Sequence, residues 1–359
     1  MTTPTTPTTP TPPATEVKSA APGPDGSTAR PLRSAALAAA WRNMKGTRSL
    51  ALIVLLVLLA VFGAAYPDNF LTAYNLRSVA IEAASYCVLA IGMTFVMTTG
   101  GIDLSVGSVL IFSGVVGVKV MTALGGGGPL TLLAGLVTTM ATGLAWGVLN
   151  GLLVTKAKLP PLIATLATLS AAGGGALVLT NGLDLRGVPD SLVSGLGFGR
   201  FLGIPYTVWL AIGLTIAGAI VLGLTRFGTY TRTIGSNVEA ARRAGVAVDR
   251  HLIKVYALCG LLAGIAAYVN LARFSTTTVG GHTGDNLQAI VATVLGGTSL
   301  FGGVGSVLGT AFGSLIPAVL SNGLVIVGLQ PFWQQVAVGA VLAGVVYVDH
   351  VNRRRRTLR

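Results

Sequence analysis

Several polar residues stand inside or between long apolar stretches of this sequence, where they could take part in binding chemistry. Glu82 lies within one such stretch, and Asp103 and Ser105 follow it in the string GGIDLSVGS, which joins two apolar blocks. An ionisable side chain in these surroundings is costly unless it is capped, paired or hydrated. Glu82 is therefore a candidate functional residue, with headgroup contact as its alternative. Asp103 is predicted to cap the helix that follows it, with a functional role as its alternative.

Uncharged polar side chains recur in the same apolar surroundings. Their amides and hydroxyls could bind a neutral, hydroxyl-rich molecule through hydrogen bonds, without any charged pair. In membrane helices the same side chains are as often bonded to a neighbouring helix. Both interpretations stay open for Asn150, Thr165, Thr168, Asn270 and Gln288.

Sequence patterns of catalysis and metal binding do not occur in this chain. The glycine run 125–128 is followed by proline and not by lysine, so it does not predict a phosphate-binding loop. Cys87 and Cys259 fall in apolar stretches and are predicted to be buried small side chains. There is no H-E-x-x-H string, and the three histidines are assigned to different loops: His251, His282 and His350. We expect no catalytic residue, no metal site and no cofactor.

Long apolar segments make up most of the chain and must position these side chains. Charged residues are 10% of the sequence and hydrophobic residues 52%, whereas roughly 25% of a soluble domain is charged. A helix needs about 20 mostly apolar residues to cross a bilayer, and small residues such as the 49 glycines let such helices approach closely. We predict an all-α, polytopic integral membrane protein with about ten transmembrane segments: 50–66, 77–98, 104–123, 130–154, 161–180, 204–225, 252–272, 286–300, 304–328 and 331–350. The eighth is short and contains Gly296 and Gly297, so it is predicted to be a half-helix or re-entrant segment.

The basic residues predict how these segments are oriented. With ten crossings and both termini in the cytoplasm, 19 Lys and Arg lie in cytoplasmic segments and four in external ones, with Lys119 near the outer end of a crossing. This split follows the positive-inside rule. The net charge of +13 is distributed between apolar blocks, so we expect no nucleic-acid binding. The run 353–356 is predicted to lie near anionic lipid of the bilayer.

The chain is predicted to have a transmembrane domain with basic or polar flanks. The first apolar run begins only at Leu50, so a signal peptide is not predicted. The predicted parts are a disordered Thr/Pro-rich cytoplasmic tail (1–30), a basic juxtamembrane segment (31–49), the transmembrane domain (50–351) with a cytoplasmic loop inside it (226–251), and a basic tail (352–359).

The cytoplasmic loop 226–251 contains a predicted short helix. Ser236 followed by Glu239 has the spacing of a capping box, so the helix is predicted to begin there, run through EAARRA and end at Gly245. Small Ala240 and Ala241 would let this helix dock closely in a partner's groove. The alternative is a solvated basic helix. The EAA-x-x-x-G spacing resembles the coupling helix of bacterial ABC importer permeases, which favours docking.

A resemblance to one family extends over roughly residues 75–350. GGIDLSVGS resembles the signature of the permeases of ABC sugar importers for ribose, xylose and arabinose. Further blocks in the order of that family are GVLNGLLVTKAKLPPLIATLATL (147–169), FGTYTRTIGSNVEAARRAGV (227–246), VLGGTSLFGGVGSVLGT (294–310) and GLQPFWQQVAVG (328–339). The sequence departs from the family at 285–292, where Asn286, Leu287 and Gln288 replace a frequent Glu-Leu-Asp.

The resemblance implies a non-enzymatic subunit that carries a monosaccharide such as ribose, xylose or fructose across the bacterial plasma membrane. The implied partners are an ATP-binding cassette subunit, an extracytoplasmic sugar-binding protein and a second permease subunit, with a homodimer expected. Residues expected to couple to the ATPase are Ser236, Glu239, Ala240, Ala241 and Gly245. Residues expected along the sugar path are Glu82, Asp103, Ser105, Asn150 and Gln288.

Two other functions remain as alternatives. One is an ABC permease for branched-chain amino acids or nucleosides, which has a related architecture. The other is an ion-coupled secondary transporter, which would be expected to keep coupling carboxylates or broken helices at the membrane midplane. The acidic side chains of this sequence are few, with 11 Asp and Glu in 359 residues, which counts against the second alternative.

Overall fold

The structure, a computed structural model, describes residues 51–282, 284–330, 333–341, 343, 344 and 347. All of them belong to one compact unit, Met44–Arg359. The predicted tail 1–30, the segment 31–49 and the tail 352–359 lie outside the described residues, as does part of the tenth predicted crossing. The predictions for those segments therefore remain predictions.

Helices account for most of the described residues. Seven of those described are long and apolar enough to cross a membrane when Val307–Ile326, which is interrupted at Ser314, is counted as one helix. This confirms a polytopic all-α protein, while the predicted total of ten stays a prediction. In chain order, the elements are α1 (Ala51–Ala65), α2 (Pro67–Phe70), α3 (Ala73–Thr98), α4 (Val106–Leu124), α5 (Pro129–Thr155), α6 (Pro161–Thr180), α7 (Asp190–Leu192) with a π-helical turn (Val193–Gly197), β1 (Arg200–Phe201), β2 (Ile204–Pro205), α8 (Tyr206–Leu224), α9 (Arg226–Ser236), α10 (Val238–Arg243), α11 (Val248–Phe274), α12 (Asp285–Leu295), α13 (Val307–Gly313) and α14 (Leu315–Ile326).

Two of the predicted crossings are not continuous helices. The eighth corresponds to α12, whose 11 residues extend only about 16 Å. It is therefore too short to cross a bilayer alone, as its glycine-interrupted sequence suggests. The ninth is divided at Ser314 into α13 and α14. Pro317 explains the division, because a proline cannot donate to the carbonyl four residues earlier and its ring collides with that carbonyl.

Glycines bring α5 and α11 into close contact over most of their length. Gly143, Gly147 and Gly151 recur every four residues on one face of α5, and Gly260 and Gly264 lie opposite them on α11. A Cβ atom built on Gly143 or Gly147 would overlap backbone atoms of α11. The two backbones are thus as close as glycine permits, which confirms the predicted role of glycine in helix association.

The helices differ in how much of their surface the bundle covers. The most apolar parts of α3, α4 and α11 are mostly buried, whereas in α5, α6 and α8 only 22% to 28% of the residues in that part are buried. The exposed face of α8 carries Trp209, Ile212, Ile216 and Ile220 at helical spacing. Such a continuous apolar face is unfavourable in water and favourable in hydrocarbon. The three outer helices therefore present a surface suited to lipid or to another membrane subunit.

The connecting loops gather at two opposite ends of the bundle. At one end, Asp249 forms ion pairs with Lys158 (3.3 Å) and Arg242 (3.7 Å). The predicted cytoplasmic loop that contains Lys158 therefore adjoins the predicted cytoplasmic loop 226–251. At the other end, Ser191 donates to Gly127 O (2.6 Å), which joins two predicted external loops. The grouping of the loops thus agrees with the predicted alternation of the crossings.

Candidate functional site

The string GGIDLSVGS forms a segment that turns back into the bundle. α3 ends at Thr98, and Gly100 (φ +83°) reverses the chain in a conformation that other residues rarely adopt. Gly101 N then donates to Val96 O (3.2 Å), beside the last turn of α3. Asp103 follows with only 1% of its surface exposed. We call residues 99–105 the turn-back segment.

Asp103, Ser105 and Asn150, three predicted path residues, are joined in one hydrogen-bond network. Asp103 Oδ1 accepts from the backbone N (2.9 Å) and the hydroxyl (2.6 Å) of Ser105. Asn150 Nδ2 donates to the same hydroxyl (2.8 Å) and lies 3.5 Å from both carboxylate oxygens. Thr168 donates to Asn150 Oδ1 (2.6 Å). The network therefore fastens the turn-back segment to α5 and α6.

The prediction that Asp103 caps the following helix is wrong in its position. α4 begins at Val106, and Ser105 is its cap residue. The carboxylate reaches only Ser105 N, two residues further on, so it stabilises the turn that precedes the helix. The interpretation of Asn150 and Thr168 as bonds between helices is supported, because each amide and hydroxyl in the network has a partner within the chain.

Tyr256 adds a polar group to this region that was not expected from the sequence. Its hydroxyl is buried without a hydrogen-bond partner among the described residues. A Cβ atom built on Gly101 would lie 2.6 Å from it, so glycine in the turn-back segment leaves room for the hydroxyl. Since Tyr256 lies among apolar residues of α11, its sequence context gives no signal of a nearby polar segment.

Glu82 lies apart from this network. It is the tenth residue of α3, about two and a half turns from the start of that helix. Its Oε2 lies 3.8 Å from Arg273 Nη2 at the end of α11, and its Oε1 accepts from the Tyr86 hydroxyl (3.0 Å). The carboxylate is therefore paired within the chain.

The remaining predicted polar residues have mixed surroundings. Gln288 lies in α12, 9% exposed, and its Oε1 has no hydrogen-bond partner among the described residues. Thr165 donates to Pro161 O (2.9 Å) in its own helix and approaches Ile102 O (3.3 Å) in the turn-back segment. Asn270 is buried in α11. Among the residues predicted to line the sugar path, Gln288 thus has a buried side-chain oxygen without a hydrogen-bond partner in the described part of the chain.

The predicted capping box at Ser236 is wrong by one residue. Ser236 is the last residue of α9, and its hydroxyl donates to Arg232 O (2.9 Å). Asn237 caps α10 instead, accepting from Ala240 N (2.9 Å). Both are good cap residues, so sequence spacing alone could not choose between them. Glu239 is exposed and lies 3.6 Å from Arg242.

α10 ends as its sequence predicts. Gly245 has φ +79°, and its N donates to Arg242 O while Val246 N donates to Ala241 O, both at 3.0 Å. These two bonds form a Schellman motif, which requires the left-handed conformation that glycine adopts without strain.

Only part of the predicted docking surface on α10 faces outward. Ala241 is fully buried against Ile234 and Val248, so it positions the helix and cannot itself enter a partner's groove. Ala240 and Glu239 are exposed. The available surface is therefore the outer face of α10.

The end of α9 touches two segments that lead into the bundle. A Cβ atom built on Gly235 would overlap Thr98 O and lie 2.5 Å from Gly303 N. Gly303 N itself donates to Thr98 O (2.9 Å). A displacement of α9 and α10 would therefore act directly on the turn-back segment and on the 299–305 turn after α12.

The assignment of the histidines to three loops is corrected for His251. It lies in the first turn of α11, where Nε2 is 2.8 Å from the Thr231 hydroxyl and the ring packs against Phe227. His282 lies in the loop before α12, and His350 lies outside the described residues. Among the described residues, no group of three His, Cys, Asp or Glu side chains is arranged to hold a metal ion.

Comparison with known proteins matches most of the chain. The sequence profile of a family described as the permease component of the branched-chain amino acid transport system matches residues 75–346. The ribose import permease RbsC of Escherichia coli K12 is 38% identical over 302 residues, which cover 83% of this chain and 92% of that protein. The L-arabinose permease AraH of Azospirillum brasilense is 33% identical over 335 residues, which cover 93% and 95% of the two chains. No solved structure matches the chain significantly.

A relative with a different named cargo has a similar level of identity. The autoinducer 2 import permease LsrC of Klebsiella pneumoniae is 36% identical over 320 residues, which cover 88% of this chain and 89% of that protein. The three relatives thus share extended similarity with this chain and differ from one another in cargo.

Proposed function

The chain belongs to the family of branched-chain amino acid transport system permease components, and we propose that it is the membrane-spanning subunit of an ATP-driven monosaccharide importer. The observation that carries this proposal is the similarity to ribose and arabinose permeases over more than four fifths of the chain. The apolar helices supply the membrane domain. Hydrolysis of ATP is assigned to a separate subunit, because this sequence has no phosphate-binding loop.

The coupling loop supports an ATP-driven mechanism. α10 exposes Glu239 and Ala240 and is fixed in direction by the Gly245 turn. It follows α9, whose Gly235 packs against Thr98 just before the turn-back segment. We assign the outer face of α10 to docking of an ATP-binding subunit. When two such subunits close on ATP, they would push the α10 helices of two permease copies toward each other. In each copy α9 would move with α10, and the movement would reach the turn-back segment and tilt α4.

The alternatives have less support. The matched family profile bears the name of branched-chain amino acid transport, yet the three similar permeases are named for ribose, arabinose and autoinducer 2. An ion-coupled transporter would work alone and keep free coupling carboxylates near the midplane. Here Asp103 Oδ1 accepts two hydrogen bonds from Ser105, and Glu82 is paired with Arg273.

The remaining partners are proposed from the function. A second copy of the chain would complete the membrane core, since an importer of this kind needs two ATP-binding subunits and each must dock on a coupling loop. An extracytoplasmic binding protein would deliver the sugar to the end of the bundle opposite α10. The Asp103, Ser105 and Asn150 network is assigned to holding the turn-back segment beside the sugar path.

The proposed orientation places both termini and α10 in the cytoplasm of a bacterial cell. It predicts that Ser236→Cys resists an impermeant maleimide in intact cells and reacts in inside-out vesicles, whereas Asp190→Cys does the reverse. Both positions are exposed, and the native Cys87 and Cys259 are buried, so the background signal should be low. Reaction of Ser236→Cys in intact cells would refute the function, because an external loop cannot reach a cytoplasmic ATPase.

A further inference from the structure

A second polar cluster lies at the opposite end of α11 from the coupling loop. α11 has 27 residues, which extend about 40 Å. Its last residues, Arg273 and Phe274, meet Glu82 of α3 and the loop that leads to Asp285 at the start of α12. None of these contacts belongs to the Asp103 network.

One ion pair and one side-chain hydrogen bond define this outer cluster. Arg273 Nη2 lies 3.8 Å from Glu82 Oε2, and His282 Nδ1 lies 2.8 Å from Asp285 Oδ2. The two pairs are linked by the ring of Phe274, which contacts both Arg273 and His282. Three helices and a loop thus direct charged groups to one place.

The outer cluster is half enclosed and has an aromatic wall. The side chains of Glu82 and Arg273 are 23% and 25% exposed, and those of His282 and Asp285 are 12% and 15% exposed. Phe274 is 42% exposed. Its ring lies 4.8 Å from the Arg273 guanidinium carbon and 5.9 Å from the His282 ring. The site is therefore open on one side.

Gln288, in the same helix as Asp285, carries a buried hydrogen-bonding group without a partner among the described residues. It lies three residues after Asp285 in α12, so both side chains project from the same helix face. Its Oε1 is buried and has no partner within the described residues. A buried acceptor without a partner is unfavourable, and a bound hydroxyl would satisfy it.

A purely structural role does not account for this arrangement. The loop before α12 is already held by Asp184, which accepts from Val279 N (2.7 Å), and by Thr277, which accepts from Leu185 N (2.8 Å). These bonds fix the loop without the charged groups of the outer cluster, and the unpartnered Gln288 acceptor does not contribute to fixing it. Carboxylates, an amide and a guanidinium beside an aromatic ring suit a small molecule with many hydroxyls and one apolar face.

We propose that Glu82, Arg273, Phe274, His282, Asp285 and Gln288 form a monosaccharide-binding site at the external mouth of the chain. The carboxylates accept hydrogen bonds from sugar hydroxyls, Arg273 donates to them, and the ring of Phe274 packs against the sugar's C–H face. This inference rests on the proposed transport function and names the place where the sugar first contacts the membrane subunit.

The test uses Ser275→Cys, an exposed and nearly isosteric change beside Phe274. The full chain is reconstituted with its ATP-binding subunit, and the rate of reaction with an impermeant maleimide is measured with and without excess ribose or arabinose. Transport by the same preparation is assayed in parallel with the sugar-binding protein added. Sugar should slow the reaction severalfold, and sucrose should not. Ser194→Cys, exposed at the same end, is the matched control and should react at the same rate with or without sugar.

A second variant separates sugar binding from a general change in shape. Glu82→Gln combined with Ser275→Cys keeps the side-chain size at residue 82 and removes its charge. Sugar protection should be lost while the reaction without sugar remains.

Protection that survives Glu82→Gln, or that appears equally at Ser194→Cys, would overturn the proposal. Absence of protection in a preparation that transports sugar with ATP would also overturn this site and leave the transport function standing. A preparation in which neither sugar is transported would instead refute the function on which the site depends.

Discussion

Gly147→Val should prevent the chain from accumulating as a folded membrane protein. A Cβ atom at residue 147 would overlap Tyr256 O and lie 3.0 Å from Ala257 Cα. Both are backbone atoms of α11, so no side chain can rotate to relieve the collision. Overpacking usually costs about 1–3 kcal/mol, and the cost here should exceed that range because two whole helices must separate. Monodisperse protein after detergent extraction, and its Tm, measure the effect.

Gly213→Val provides the matched control for this prediction. Gly213 lies in α8, where no atom stands within 4 Å of an added Cβ. The control should therefore be extracted in normal amount with an unchanged Tm. If Gly147→Val behaved like this control, the close contact of α5 and α11 would be wrong.

Asp103→Ala should destabilise the chain, whereas Asp103→Asn should be well tolerated. Alanine removes the acceptor for both Ser105 N and the Ser105 hydroxyl, at about 1–3 kcal/mol for each buried donor left unpaired. Asparagine keeps one carbonyl oxygen for those two donors. We therefore expect low membrane abundance of the alanine variant, and near-normal abundance and sugar uptake of the asparagine variant.

The two Asp103 variants also decide between the roles proposed for the carboxylate. Abundance and uptake must be measured in the same membranes, so that loss of protein is not mistaken for loss of transport. An asparagine variant that is abundant but inactive would contradict the structural role. The charge would then be needed for gating or for contact with the sugar, which is the functional alternative that the sequence leaves open for Asp103.

The regular parts of the fold follow from residue periodicity and length. Apolar segments of about 20 residues locate α3 to α6, α8 and α11 closely, and α6 begins and ends where the sequence predicts, at 161 and 180. The glycines that recur every four residues in α5 are visible in the sequence. The sequence does not show that these glycines pack against Gly260 and Gly264 of α11, because contact between distant segments leaves no local pattern.

The candidate site was less predictable because it depends on irregular backbone. Asp103, Ser105 and Asn150 were each identifiable as polar residues in apolar surroundings, but their meeting depends on the reversal at Gly100. The shift of the α10 cap from Ser236 to Asn237 has a similar cause, since both residue types cap helices well. Arg273, His282 and Asp285 did not stand out, because charged residues near the ends of membrane helices are common.

Sugar uptake into proteoliposomes tests the central claim most directly. The vesicles contain the chain and its ATP-binding subunit, the binding protein loaded with radiolabelled ribose or arabinose is outside, and ion gradients are collapsed with ionophores. Sugar should accumulate only when ATP is enclosed and the ATP-binding subunit is present. Accumulation by the chain alone, driven by an ion gradient without ATP, would contradict its assignment as the membrane subunit of an ATP-driven importer.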